Sequence, residues 1–132
     1  MRLLGLSFDY HDAAAALVVD GVPVAAAQEE RFTRVKHDRS LPENAARWCL
    51  ERAGLSAGDL DAVVFYEKPF RKFSRILAGC LGAFPSSAGL FRRATAAWVD
   101  ERLWVGPRIE KAFGLPPAKV LFCEHHLSHA AA

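Results

Sequence analysis

The sequence predicts an α/β domain that opens with three antiparallel strands and continues with parallel strands joined through helices. Three observations point there. Apolar runs at 2–8, 13–19 and 22–28 lie close together, the last two joined by Asp20-Gly21. Ala62-Val63-Val64-Phe65 is continuously apolar, as in a central parallel strand covered on both faces. Helix-forming stretches separate that run from its neighbours. At 132 residues and 52% hydrophobic content, the chain is one domain or less. A chain of this size buries roughly two-thirds of its unfolded surface, enough for a real core.

The elements follow in order. Residues 2–8 read as a strand. Asp-Gly between two apolar runs signals a hairpin, because a type I′ turn needs positive φ at both central residues. Pro23 is tolerable at the first positions of a strand. The alanines at 13–16 favour helix by propensity, but the hairpin requires them as strand, and their small side chains let a backbone or ligand approach. Ser40-Leu41-Pro42-Glu43 predicts a helix start, with Ser40 as cap, Glu43 closing a capping box and Pro42 in the first turn. That helix runs to Ala53, buries Ala46, Cys49, Leu50 and Ala53, and ends at Gly54. Residues 61–66 form a strand. Helices are expected over 70–83, despite Gly79 and Gly82, over 88–105, and over 107–113, the last opened by Pro107. Residues 114–117 are a loop, 119–123 a short buried strand, and a helix starts at the histidines that follow. This order is the first half of a ribonuclease H-like or actin-like ATPase subdomain, in which the first hairpin handles phosphate; that step is fold analogy.

Composition excludes several classes. A net charge of +2 is too small to imply nucleic acid. Cys49, Cys80 and Cys123 are odd in number and widely spaced, which suggests reduced thiols in the cytoplasm. The apolar run before Asp9 is too short for a signal peptide, and no stretch approaches the ~20 apolar residues of a membrane span.

Four segments could carry chemistry. Phe8-Asp9-Tyr10-His11-Asp12-Ala13 packs two carboxylates, an imidazole and a phenol into one tight connection. His11 can act as a base near neutral pH, and a carboxylate such as Asp12 can orient it. A polar β-turn explains the same residues. The run Gln28 to Arg39 presents charge at a strand end, where Arg31, Arg34 and Lys36 could bind phosphate or carboxylate; a solvated loop is the commoner outcome. Lys68, Arg71, Lys72, Arg75, Arg92 and Arg93 form a basic stretch with no acidic residue between Lys68 and Val99. It could be an anion-binding or docking face, or a basic amphipathic surface touching nucleic acid or lipid, but a soluble helical insert is the preferred reading. Finally, His125 and His129 are four apart, which puts two imidazoles on one helix face, one turn apart, as two ligands of one cation. Two ligands do not complete a coordination sphere, so the chain is expected to be the N-terminal piece of a larger enzyme. His126 would point elsewhere.

Five motifs in order resemble a known family. Leu4-Gly5-Leu6-Ser7, Tyr10 to Val18, Ala25 to Arg34 together with Lys36-His37-Asp38, Tyr66-Glu67-Lys68-Pro69 and Glu124 to Ala131 resemble the nodulation-protein U-type O-carbamoyltransferases. That family also carbamoylates antibiotics. The resemblance covers the chain except roughly residues 85–115. Ala132 stands where members usually have serine.

The resemblance implies a Kae1-like, actin-like ATPase domain, of which this chain is the N-terminal portion, followed by a YrdC-like domain beyond it. The YrdC-like part makes carbamoyl adenylate from carbamoyl phosphate and ATP. The Kae1-like part, carrying Fe(II) or a similar divalent metal, transfers the carbamoyl group to a hydroxyl of a small molecule. His125 and His129 fall on the metal positions and His11 on the histidine implicated in transfer. Asp12 is expected to assist His11, while Arg31, Lys36 and Lys68 are expected to bind the co-substrates. The isolated chain is expected to be inactive, with no nucleic-acid or membrane partner; self-association is left open. Two other classes stay open: a transfer protein like the Kae1 tRNA threonylcarbamoyl machinery, against which the near-neutral charge and Tyr10-His11-Asp12 speak, and a non-catalytic relic that binds metal or nucleotide.

Overall fold

The computed structural model describes residues 1–10, 12–100 and 102–130. Among them a five-stranded sheet has the order β3-β2-β1-β4-β5. The strands are β1 (Arg2–Ser7), β2 (Ala14–Val19), β3 (Val22–Gln28), β4 (Ala62–Phe65) and β5 (Val120–Phe122). β1 and β2 pair antiparallel, as do β2 and β3, whereas β4 runs parallel to both β1 and β5. The expected mixed α/β arrangement, an antiparallel start followed by parallel strands, is therefore observed.

The hairpin is built as its sequence requires. Asp20 and Gly21 have φ of 51° and 83°. The β2–β3 register shifts at Leu17/Val18, where Leu17 faces Ala25 but Val18 faces Pro23. Pro23 is tolerated because β3 is an edge strand and the irregularity adjoins it.

The helices are α1 (Glu30–Thr33), α2 (Glu43–Arg52), α3 (Pro69–Gly82), α4 (Ala88–Asp100), α5 (Val105–Phe113) and α6 (His125–Ala130). Alternation along the strands makes the core. Leu4, Leu6, Ala15, Leu17, Val63 and Phe65 are buried against Ala45, Ala46, Cys49 and Leu50 of α2 and Val105 and Ile109 of α5. The intervening strand residues Gly5, Ser7, Ala14, Ala16, Ala26 and Val64 instead line an open, mostly apolar groove of about 910 Å³, with Phe32 and Trp48 also in its lining.

Two expectations need correction. Ser40 does not cap α2. Its N–H and hydroxyl both donate to Asp38 Oδ1, at 2.9 and 2.6 Å. The first turn of α2 is instead capped by Glu29, whose carboxylate accepts from the Asn44 and Ala45 N–H groups at 3.2 and 2.8 Å. The N-cap residue itself is Pro42. The stretch expected as one helix over 88–105 is instead α4 over Ala88–Asp100 and a 3-10 turn over Arg102–Trp104, and the next α-helix begins at Val105, two residues before Pro107. The Trp104 indole donates to the Val99 carbonyl at 2.7 Å, satisfying an acceptor at the end of α4. Pro107 still sits in the first turn of α5, where its missing N–H has no intrahelical partner to lose.

Candidate functional site

The topology gathers the singled-out segments. β1, β4 and β5 run parallel, so Phe8–Asp12, Tyr66–Lys68 and Cys123–His125 all leave the sheet at the same, carboxyl edge. β3 also ends there, because it is antiparallel to β2, and delivers residues 29–39 to that edge. Sites in α/β folds collect at this edge.

The first cluster joins the β1–β2 loop to residues 34–40. Asp9 N–H donates to the Arg39 carbonyl at 2.9 Å, and Ala13 N–H to that of Asp38 at 2.7 Å. Asp12 Oδ1 lies 2.9 Å from His37 Nδ1, and the His37 backbone N–H donates to Glu30 Oε2 at 3.2 Å. Donor atoms of Asp12, Glu30 and His37 all lie within 4.8 Å of one another, and hydrogen bonding accounts for that gathering. The hydrogen bond and the charge of Asp12, helped by Glu30, raise the His37 pKa above its ordinary value. Ser40 and then Thr33, by hydrogen bonding, hold the Asp38 carboxyl below its ordinary value. Asp9, Asp12, Arg34 and His37 all have positive φ, between 43° and 69°. Sparsely populated backbone conformations of this kind cluster at functional sites.

The second cluster surrounds the start of α6. The His125 and His129 rings lie 4.7 Å apart, nearly perpendicular, and the His126 ring is 5.5 Å from that of His125. His125 Nδ1 is buried with no hydrogen-bond partner. Glu124 accepts from Arg71 and pairs with Lys68 at 3.3 Å. Burial pushes the Glu124 carboxyl up, but Lys68 and Arg71 outweigh it and hold the group below its ordinary value. Lys68, Arg71, Arg75, Glu124, His125 and His126 line a cleft of about 210 Å³. Lys72 lines the same cleft; its ammonium is 5.6 Å from the Tyr10 ring and pairs with Glu67 at 2.8 Å.

The structure thus sorts the singled-out residues. Asp12 is in the first cluster, paired with His37. Arg31 is exposed and lines the groove, 4.0 Å from Glu30. Lys36 is exposed on the 34–40 loop. Lys68 belongs to the second cluster, with His125, and His129 stands beside that histidine. His11 lies outside the described residues. Sequence reasoning missed three residues. Glu29 is 1% exposed and supports α2 from fifteen positions upstream, with no local signal. Arg108 donates to Asp9 from a segment that looked like an insert. His37 stood inside a quoted motif, but nothing in the spacing showed that it meets Asp12.

A family model described as carbamoyltransferase N-terminus matches residues 2–132. The chain belongs to the carbamoyltransferase family. It is 48% identical, over 98% of its length, to the uncharacterized protein sll1178 of Synechocystis sp.. It is 34% identical, over 91% of its length, to the nodulation protein NolNO of Sinorhizobium fredii. A shorter match, 41% identical over 42% of the chain, is to an uncharacterized 19.2 kDa protein of Rhizobium etli. The carbamoyltransferase chain spans 22% of the cyanobacterial relative and 17% of NolNO. Among its described residues no helix is long and apolar enough to cross a membrane.

Proposed function

We propose that this chain is the N-terminal part of the transfer domain of a cytoplasmic O-carbamoyltransferase. That enzyme would move a carbamoyl group from carbamoyl phosphate, through ATP-dependent carbamoyl adenylate, to a hydroxyl of a small molecule. The observation that carries this reading is the convergence of both clusters on one sheet edge in a chain of this family. The strand order, with β2 alone antiparallel to its neighbours, supports an actin-like ATPase arrangement of the Kae1 type. The remaining length in the relatives supports a partner region, of YrdC type, that makes the adenylate.

The roles follow from chemistry. Carbamoyl adenylate is an acyl phosphate, and attack by an alcohol needs a group to take the hydroxyl proton and charge to steady the phosphate. His11 acts in the transfer step. Arg31, Lys36 and Lys68 are the cations assigned to phosphate or carboxylate. His125 and His129 would hold an iron or similar divalent ion; adjacent rings and a buried, unpartnered ring nitrogen fit a metal-binding role. Such an ion supplies Lewis acidity, polarising an oxygen. The chain alone is expected to turn nothing over, since it spans about a fifth of its two longer relatives.

The test supplies the complete polypeptide with ATP, carbamoyl phosphate and a panel of hydroxyl compounds, with mass spectrometry of the products. A carbamate ester that requires ATP is expected. Product formed equally without ATP would overturn the adenylate route, and no carbamate with any acceptor would overturn the activity.

A further inference from the structure

We propose that Asp12 and His37 form a carboxylate–imidazole pair that accepts the proton of the attacking hydroxyl, with His37 Nε2 as the receiving atom. This rests on the carbamoyl-transfer reading and assigns it a second imidazole besides His11. The two residues come from different loops, 25 positions apart, and meet at 2.9 Å. Nδ1 is committed to Asp12, which fixes the tautomer and leaves Nε2 as the nitrogen able to meet a substrate. The His37 side chain is 65% exposed and that of Asp12 37%, so the pair is reachable from solvent.

The surroundings hold the pair in place rather than merely permit it. Both residues have positive φ, 43° at Asp12 and 56° at His37, a conformation that non-glycine residues adopt at a cost. Two backbone hydrogen bonds, Asp9 to Arg39 and Ala13 to Asp38, bracket the contact. Glu30 holds the His37 backbone N–H, and Thr33 and Ser40 hold Asp38 next to it. The charged groups that act on the ring are Asp12 and Glu30, both of which favour the imidazolium. A base strengthened in this way suits a step that ends with the proton on the ring.

The step balances. The acceptor oxygen forms a bond to the carbamoyl carbon, and the bond from that carbon to the phosphate oxygen breaks. Adenylate leaves with the electron pair as its phosphate anion. The hydroxyl proton ends on His37 Nε2, and Asp12 stabilises the resulting imidazolium.

Two measurements test the pair. In the complete polypeptide, His37→Asn keeps a residue that tolerates positive φ. It should form carbamoyl adenylate at the wild-type rate, read as pyrophosphate release, while transfer to the acceptor falls ~10²–10⁴-fold. In the present chain, NMR titration should show the His37 ring titrating lower in Asp12→Asn than in wild type. Transfer by His37→Asn at the wild-type rate, loss of adenylate formation together with transfer, or an unchanged His37 titration in Asp12→Asn would each overturn the proposal. A wild-type polypeptide that makes adenylate but no carbamate would overturn the transfer reading and this role with it. The NMR result would then still report the pairing separately.

Discussion

Arg108 Nη1 donates to Asp9 Oδ2 at 2.6 Å, across 99 positions of sequence. Its guanidinium carbon also sits 5.0 Å from the Phe8 ring centroid. α5 therefore grips the β1–β2 loop from the side opposite in sequence to residues 34–40. The Arg108 and Asp9 side chains are 32% and 20% exposed. Partial burial makes this pair worth more than a surface ion pair. Arg108→Met should destabilise the chain by about 1.5–3 kcal/mol, the range for losing a hydrogen bond to a charged group. Urea denaturation of the two proteins measures it.

Glu29 should matter more than its place in a charged run suggests. Its carboxylate accepts from the Asn44 side chain as well as from the Asn44 and Ala45 backbone N–H groups. Glu29→Ala leaves the two backbone donors at the start of α2 without that partner, at about 1–3 kcal/mol for a buried unsatisfied group. A total loss of about 2–4 kcal/mol is expected by the same denaturation experiment. Ser40→Ala, by contrast, should leave α2 intact.

Asp38 gives the loop an acid limit. Its folded pKa lies below the ordinary carboxylate value, chiefly because Ser40 and Thr33 donate to the ionised form. Stability from this group is therefore present above the unfolded value, near 3.8, and is lost as pH falls through the lower folded value. Asp38→Asn should be less stable than wild type at neutral pH, with the gap closing in acid. Thermal melts across pH 2–6 check the sign (a gap that widens in acid contradicts it).

The groove and the core face of β2 should respond oppositely to the same change. Ala15 and Ala16 both border the groove, but Ala15 is 2% exposed and belongs to the core, whereas Ala16 is half-buried. Ala15→Glu buries an unpaired carboxylate and should prevent cooperative folding. Wild type is expected to enhance the fluorescence of an apolar dye through the groove, and Ala16→Glu should fold and lose that enhancement. Circular dichroism and dye titration together decide it.

If His125 and His129 hold the proposed metal ion, His125→Ala or His129→Ala in the complete polypeptide should each remove most of it. His126→Ala should not, since successive helix positions point about 100° apart. Elemental analysis after dialysis reads this, and equal metal content in all three would contradict the assignment.

What was legible in the sequence was local. Apolar runs marked all five strands, and Asp20-Gly21 marked the hairpin, because both signals lie in neighbouring residues. Gly54 and Gly114 stood where their φ of 65° and 63° ends a helix. What was hidden depends on pairs far apart in the chain. Glu29 caps a helix that starts after an intervening loop, His37 meets Asp12 across the hairpin, and Arg108 reaches Asp9 from the far end. The 3-10 turn over Arg102–Trp104 escaped because helical propensity runs on through it, and the Trp104 indole that reaches back to the Val99 carbonyl gives no local signal.

The parallel seam between β1 and β4 also orders events during synthesis. Leu3 faces Ala62 and Leu6 faces Phe65, so β1 has β2 on one side long before its other neighbour exists. Until Phe65 has left the ribosome, any ribbon formed by β1, β2 and β3 would have an open hydrogen-bonding edge on β1 as well as the one on β3. Exposed strand edges of that kind recruit other strands, and newly made multidomain chains are most vulnerable at such stages. Slow elongation just before Ala62 would lengthen that exposure, and a chaperone acting on this protein would have most to shield in that interval.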